Sequence, residues 1–290
     1  MKYGLPYQGS KSAIAEWVVA QMPPAEVFVD LFAGGCAVTH CAMLSGKYKK
    51  FVANDITPVP SAFLKAVEFG VEDLRFVSRQ DFQSCDDWLT KIIYSFGNNC
   101  REYMYSPQNE ELARAIHLSV FEHHHEPLSE LTGLNIEYYI KDMGWFEAYT
   151  LLKKLISQTV GGDGRAVHIE RINRIKALNN PVLRQKAKNL LVVQGDYRNL
   201  EIPKNSVCYC DIPYSDTAKY HNEFEHQEFY RWCKTQNQHL YISEYKMPDD
   251  FTEISRTKKL NQMSASTNFK NTERLFTYNS PIYNDQPSIF

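Results

Sequence analysis

The chain has 290 residues, 43% of them hydrophobic and 23% charged, with a formal net charge of −2. These values suit one large α/β domain, with or without an insert, and argue against a protein that coats nucleic acid, while leaving room for a local DNA-binding patch. No apolar run approaches the roughly 20 residues that span a bilayer. Residues Met1 to Gln8 lack a basic-then-apolar signal pattern, so a cytoplasmic location without a membrane partner is expected.

In chain order, Ser10 to Met22 predicts a helix, with Ser10 as N-cap and Ile14, Trp17, Val18 and Met22 on one face. Pro23-Pro24 ends it. Val27 to Val29 is an apolar strand, Gly34-Gly35 a turn, Ala37 to Leu44 a helix closed by Gly46, and Phe51 to Ala53 a second strand closed by Asn54-Asp55. Strand, glycine turn, helix, strand is a βαβ unit, which implies a parallel sheet. From about 68 to 179 the chain is polar, aromatic and helical in pattern, a helical insert. Strands return at 190–193, 207–210, 240–242, 251–254 and 275–278, with a helix at 227–234, suiting a sheet finished by an antiparallel hairpin. The expected fold is α/β, a Rossmann-like and mostly parallel sheet formed by 1–67 and 180–290, with 68–179 as the insert.

Seven scattered cysteines without a Cys-x-x-Cys pair predict reduced, packed thiols. Adjacent histidines 123–125 point in different directions on a helix and no carboxylate or cysteine group completes a site, so no metal is expected.

Two motifs carry chemistry. Asp30-Leu31-Phe32-Ala33-Gly34-Gly35 lets main-chain amides approach a ligand, and Asp55, about 20 residues on, suits a ribose diol or, more simply, a helix N-cap. Cys210-Asp211-Ile212-Pro213-Tyr214 runs from an apolar strand into Asp, Pro and an aromatic ring. The lone pair of a purine's exocyclic amine is delocalised. Two acceptors aimed at its hydrogens, the Asp211 carboxylate and the Ile212 carbonyl directed by Pro213, would favour the tetrahedral geometry that frees it. Tyr214 would stack on a flipped base.

With Tyr7-Gln8-Gly9-Ser10-Lys11 first and Gly195-Asp196-Tyr197 just before Asp211, the ordered set resembles a Dam-like DNA adenine methylase, in detail the phage-borne members. Asn54-Asp55, Ser243-Glu244-Tyr245, Glu273 to Phe276 and Ser95 to Asn99 add to it. The resemblance implies a class I methyltransferase fold and transfer of methyl from S-adenosylmethionine to N6 of adenine in duplex DNA, leaving S-adenosylhomocysteine, without metal. It implies that Tyr7 and Lys11 line the cofactor, with Lys11 near the methionine carboxylate. It further places Asp30 and Asp211 in the cofactor site, Phe32 and Gly34 on the pocket floor, Asp55 at the ribose, Asp196 at the cofactor's adenine amine and Tyr197 beside that ring. The sequence departs from the common Asp-Pro-Pro-Tyr at Ile212, and carries Cys36 where a further glycine is frequent. If position 36 needs positive φ, the cysteine costs about 1 kcal/mol.

A glycine-rich stretch, 161–164, leads into Arg165, and Arg171, Arg174 and Lys176 follow with helical spacing; they are read either as phosphate contacts or as a linker and a surface helix. Asn98, Asn99 and Arg101 offer base-edge contacts, or a polar turn. Cytosine N4, an RNA adenine, or a catalytically silent relative are the alternatives in the same fold. A nicotinamide dehydrogenase lacks its last glycine here. Monomer or dimer, and a cognate restriction nuclease as partner, are left open.

Overall fold

The computed structural model describes residues 2–159, 165–213, 224–260 and 270–278. It divides into two compact units. One takes in Met1–Gly4, Gly9–Leu64 and Val182–Phe290; the other takes in Leu5–Gln8 and Lys65–Pro181. The first unit contains β1 (Ala25–Asp30), β2 (Tyr48–Asp55), β3 (Leu190–Gln194), β4 (Ser206–Asp211), β5 (His239–Ser243), β6 (Phe251–Leu260) and β7 (Lys270–Tyr278). Helices in chain order are α1 (Ala15–Gln21), α2 (Ala37–Ser45), α3 (Val59–Phe69), α4 (Arg79–Ser84), α5 (Trp88–Tyr94), α6 (Pro107–Phe121), α7 (Glu126–Thr132), α8 (Ile136–Ile140), α9 (Trp145–Thr159), α10 (Val167–Lys176), α11 (Pro181–Ala187) and α12 (His226–Thr235). The second unit holds α4 to α10, and α3 runs from the first unit into it.

One sheet orders the strands β3-β2-β1-β4-β5-β7-β6. β1 to β5 pair in parallel, β7 lies antiparallel on β5, and β6 antiparallel on β7. The fold is α/β, a Rossmann-like and mostly parallel sheet finished by an antiparallel hairpin. The reason lies in β1 and β4. Their runs are apolar rather than alternating, and nearly every residue is buried, as a parallel strand covered on both faces requires. Val27, Val29, Leu31, Cys208 and Cys210 share a core with Phe229 and Cys233 of α12. Fully burying a side chain such as Phe229 stabilises by about 1.5–3 kcal/mol. The intervening Phe28 and Tyr209 are also fully buried, and α2 packs on β1 and β2.

Gly46 ends α2 in the left-handed conformation, φ 76°, as its sequence position predicts. The first helix departs from expectation. It starts at Ala15 with Ile14 at its N-cap, and Ser10 Oγ accepts instead from the Ser12 amide at 3.3 Å. Residues around Lys11 form turns instead, with the Ile14 amide donating to the Lys11 carbonyl at 2.9 Å, because the Lys11 side chain is directed into the protein. The terminal hairpin is longer than the apolar runs alone suggest, since its polar outer half pairs backbone to backbone without needing burial. All seven cysteines are free.

The second unit encloses two histidines. Tyr105 Oη lies 2.7 Å from His168 Nδ1, and His168 Nε2 lies 3.0 Å from His117 Nδ1. Tyr105 also accepts from the His168 amide at 3.2 Å. Run in either direction, the relay lets a neutral His168 donate through one ring nitrogen and accept through the other. Burial holds both rings below the usual range, His117 at about 4 against an ordinary 6.5. A depressed histidine is neutral in the fold and charged in the unfolded chain. Unfolding free energy is therefore expected to be level above pH 6.5 and to fall by about 3 kcal/mol as pH drops toward 4. Urea melts across that window, compared with His117→Gln, check this. An unchanged slope in the variant would contradict it.

Candidate active site

β1, β2 and β4 end on Asp30, Asp55 and Asp211. β2 and β3 lie to one side of β1, and β4 and β5 to the other, so the strand order reverses between β1 and β4. A reversal of this kind opens a crevice at the carboxyl ends of the strands, where α/β sheets bind ligands.

Main-chain ties shape the loop after β1. The Leu31 amide donates to Tyr209 O at 2.9 Å and the Ala33 amide to Asn54 O at 2.8 Å. Asp55 Oδ2 accepts from the Gly34 amide at 2.8 Å, while Oδ1 accepts from Thr57 N and Oγ1 at 2.9 and 2.8 Å. Asp55 thus binds the glycine loop to β2 and closes its own turn. A ribose diol at this point would share oxygens that already accept. The loop needs two left-handed residues, Gly34 at φ 45° and Cys36 at φ 57°. Cys36 is a non-glycine residue in that region, which costs about 1 kcal/mol. Its side chain is fully buried, and that burial offsets part of the strain.

Lys11 is buried, with 5% of its surface exposed, and its ammonium lies 2.9 Å from Asp211 Oδ1 and 3.8 Å from Glu273 Oε2. Desolvation opposes its charge, but the Asp211 and Glu273 carboxylates outweigh it and raise the lysine above its ordinary value. Asp30 lies deeper still, 1% exposed, with Oδ2 accepting from Thr39 Oγ1 at 2.7 Å. Asp30 Oδ1 is buried without a hydrogen-bond partner among the described residues. Burial raises this carboxyl to about 7; the Thr39 hydrogen bond opposes the rise, and the nearby Asp211 and Asp55 add to it.

Phe32 and Tyr197 come together, ring centroids 5.1 Å apart, in a cluster with Phe224 and Phe229. Asp196 is bound by Arg198, which donates to Oδ1 from its backbone amide at 2.9 Å and from Nε at 2.8 Å, pairs with Oδ2 through Nη2, and reaches Glu228 at 2.8 Å. That arginine holds Asp196 below the usual carboxylate range. Asp211 pairs in register with Ser243 of β5; Ile212 is 2% exposed; Tyr214 and residues 161–164 lie outside the described residues. Tyr7 belongs to the second unit.

In the second unit, several of the residues expected at a DNA surface bond within the protein. Arg171 Nη1 donates to the carbonyls of Ile92, Ile93 and Ser95 at 3.1, 2.8 and 2.7 Å. It satisfies carbonyls that the end of α5 leaves unpaired, a task for a cation at a helix C-terminus. Burial pulls it down to about 10, so it stays charged. Arg174 reaches back to the Leu5 carbonyl at 3.5 Å, and Asn98 Nδ2 donates to Ile92 O at 3.0 Å. Asn99 Oδ1 accepts from the amides of Arg101 and Glu102 at 2.9 and 3.1 Å, the polar-turn alternative. Arg101 and Arg165 are exposed.

Sequence patterns do not single out Gly4, Thr39 or His40. The Gly4 amide donates to His40 Nδ1 at 3.0 Å with φ 64°, and a Cβ there would meet Gly35 O at 2.4 Å and Ala37 Cα and N at 2.7 Å. Only the isolated Tyr3-Gly4 pair marks this approach in the sequence. Glu273 stood out only as part of a late strand.

A family model for D12 class N6 adenine-specific DNA methyltransferases matches residues 7–230, and the chain belongs to that family. A search among curated proteins returned no match.

Gly4→Ala sets a methyl group against main-chain atoms of the loop and α2, and adds a left-handed alanine. A loss of about 2 kcal/mol or more is expected. Urea denaturation of the two proteins checks it; equal midpoints would mean that the loop yields at no cost.

Proposed function

We propose that this adenine-specific DNA methyltransferase takes its methyl group from S-adenosylmethionine and delivers it to N6 of an adenine turned out of duplex DNA. The observation that carries this reading is Asp211. It ends β4 beside the strand-order reversal, with one carboxylate oxygen fixed by a buried lysine at 2.9 Å.

Residues at the sheet end fit the cofactor. Asp30 offers a buried carboxylate oxygen without a hydrogen-bond partner among the described residues, suited to a cationic group. The Gly34 loop brings main chain close, and the Phe32–Tyr197 aromatics suit a purine face. S-adenosylmethionine, when bound, supplies an electrophilic methyl on a sulfonium. Lys11 and Glu273 fix the charge and the position of Asp211 before substrate arrives. Asp211 Oδ2 then accepts one hydrogen of the target amine and the Ile212 carbonyl accepts the other, holding the nitrogen in the geometry that exposes its lone pair. Catalysis of this kind is preorganised positioning and electrostatics. The second unit is read as the target-recognition insert, with Arg101 and Arg165 as its surface cations.

Asp211→Asn keeps the shape and an acceptor for Lys11 but turns a donor toward the amine. Transfer of labelled methyl to mixed-sequence duplex DNA is expected to fall by about 100-fold or more, with cofactor binding retained. Nucleoside analysis should find the wild-type label in N6-methyladenosine. Label confined to RNA, or full activity in Asp211→Asn, would refute the reading.

Asp30 supplies a second test. Its carboxyl, raised to about 7, is mostly protonated a unit or more below that pH, and a cation beside it favours the ionised form. Cofactor binding there should release protons and tighten as pH rises toward 7. Calorimetry in buffers of different ionisation enthalpy measures the release. Asp30→Asn should abolish it; equal release in both proteins would remove Asp30 from the site.

A further inference from the structure

The run that follows Asp211 is clasped from outside. His226, the first residue of α12, places Nε2 2.8 Å from the carbonyl oxygen of Pro213. A carbonyl only accepts, so Nε2 carries the hydrogen. The same nitrogen lies 3.8 Å from Glu244 Oε2. Glu244 is fully buried just past the end of β5, and its Oε1 accepts from the Tyr245 amide at 2.7 Å. The neighbouring Ser243 is the register partner of Asp211. One buried carboxylate, set by the strand next to the catalytic strand, thus faces an imidazole that grips the catalytic run.

We propose that His226, backed by Glu244, is a positioning residue for methyl transfer: it fixes the Pro213 carbonyl and so aims the Ile212 carbonyl and the Asp211 carboxylate at the target amine. The proposal rests on the reading of Asp211 and Ile212 given above. Degrees of freedom explain why one hydrogen bond suffices. Asp211 is held by the β4–β5 ladder and by Lys11, and Ile212 is buried in the core. The ring of Pro213 locks its φ. Rotation about ψ of Ile212 would turn the Ile212 carbonyl, and it would also carry the Pro213 carbonyl away from His226, so the His226 hydrogen bond opposes that rotation. Where a common Asp-Pro-Pro-Tyr has two rings, this chain has one ring and a histidine clasp.

The test is single-turnover methyl transfer by the full chain with cofactor bound, measured for wild type, His226→Ala, His226→Gln and Glu244→Gln. Cofactor affinity and circular dichroism are recorded for each. A glutamine amide nitrogen sits where Nε2 does and donates without an imidazole. The expected result is a fall of roughly 10- to 100-fold in the transfer rate for His226→Ala. Cofactor affinity should be unchanged, His226→Gln should recover most of the rate, and Glu244→Gln should lie between. An undiminished rate in His226→Ala overturns the proposal. A loss of rate that tracks loss of fold or of cofactor affinity, without rescue by His226→Gln, also overturns it and leaves the histidine a structural part. If the wild type transfers no methyl to adenine, the underlying reading fails, and the proposal fails with it.

Discussion

A lysine ammonium buried between two carboxylates organises the carboxyl end of the sheet. Lys11 is buried, and the nearness of Asp211 and Glu273 repays the loss of its water. Removing one member of such a group typically costs about 3–5 kcal/mol, because the charge left behind is buried without its partner. The consequences spread through the first unit. The N-terminal segment is drawn against β4 and β7 and cannot continue as helix through residue 11, so α1 begins at Ala15. Just upstream, Gly4 meets the glycine loop at a distance that admits no side chain. The same ion pair holds the Asp211 carboxylate in place before any ligand is present, which is what catalysis by preorganisation requires.

Negative charge gathered at one sheet end needs a reason to persist. Asp30, Asp55 and Asp211 end three neighbouring strands, and Asp30 answers the crowding and its own burial by holding its proton up to about 7. Asp55 is held differently, by three hydrogen bonds of 3 Å or less: Oδ2 takes the Gly34 amide and Oδ1 takes Thr57 twice. Two carboxylates a short way apart therefore differ in environment, one desolvated and protonatable, the other tied into backbone. A cationic ligand gains most beside the first.

Much of this architecture was legible in residue order. Apolar runs at β1 and β4 announced buried parallel strands, and Asp30, Gly34, Asp55 and Asp211 stood at strand ends because turn glycines and terminal aspartates mark where strands stop. Side-chain direction was not legible. Arg171 and Arg174 carry helical spacing that equally fits a basic surface, and only the position of the α5 carbonyls shows that Arg171 is committed inward. Lys11 looked like a solvated or ligand-facing lysine, since its partners lie some 200 residues or more further along the chain. Asp196 met the same difficulty at short range: Arg198, two residues on, forms a bidentate grip that no motif records. His226 and Glu244 went unnoticed as a pair for lack of any local pattern linking a helix start to a strand end.

Ile212 shows how a departure from a common motif can preserve its geometry. A proline there would fix one dihedral and nothing else. Isoleucine instead drives its side chain into the core shared by Leu31, Cys210, Phe229 and Ile242, where only 2% of its surface remains exposed. Burying such a side chain contributes about 1.5–3 kcal/mol, and moving it out would forfeit most of that. The anchor acts on position, because packing in a dense interior resists translation of the residue as well as rotation. Adjacent residues then need less intrinsic stiffness: Asp211 is fixed by its ladder and its lysine, and Pro213 by its ring and the His226 hydrogen bond. Rigidity of the run 211–213 is thus a property of the surrounding core and its few polar clasps, and a motif can lose a proline without losing its shape.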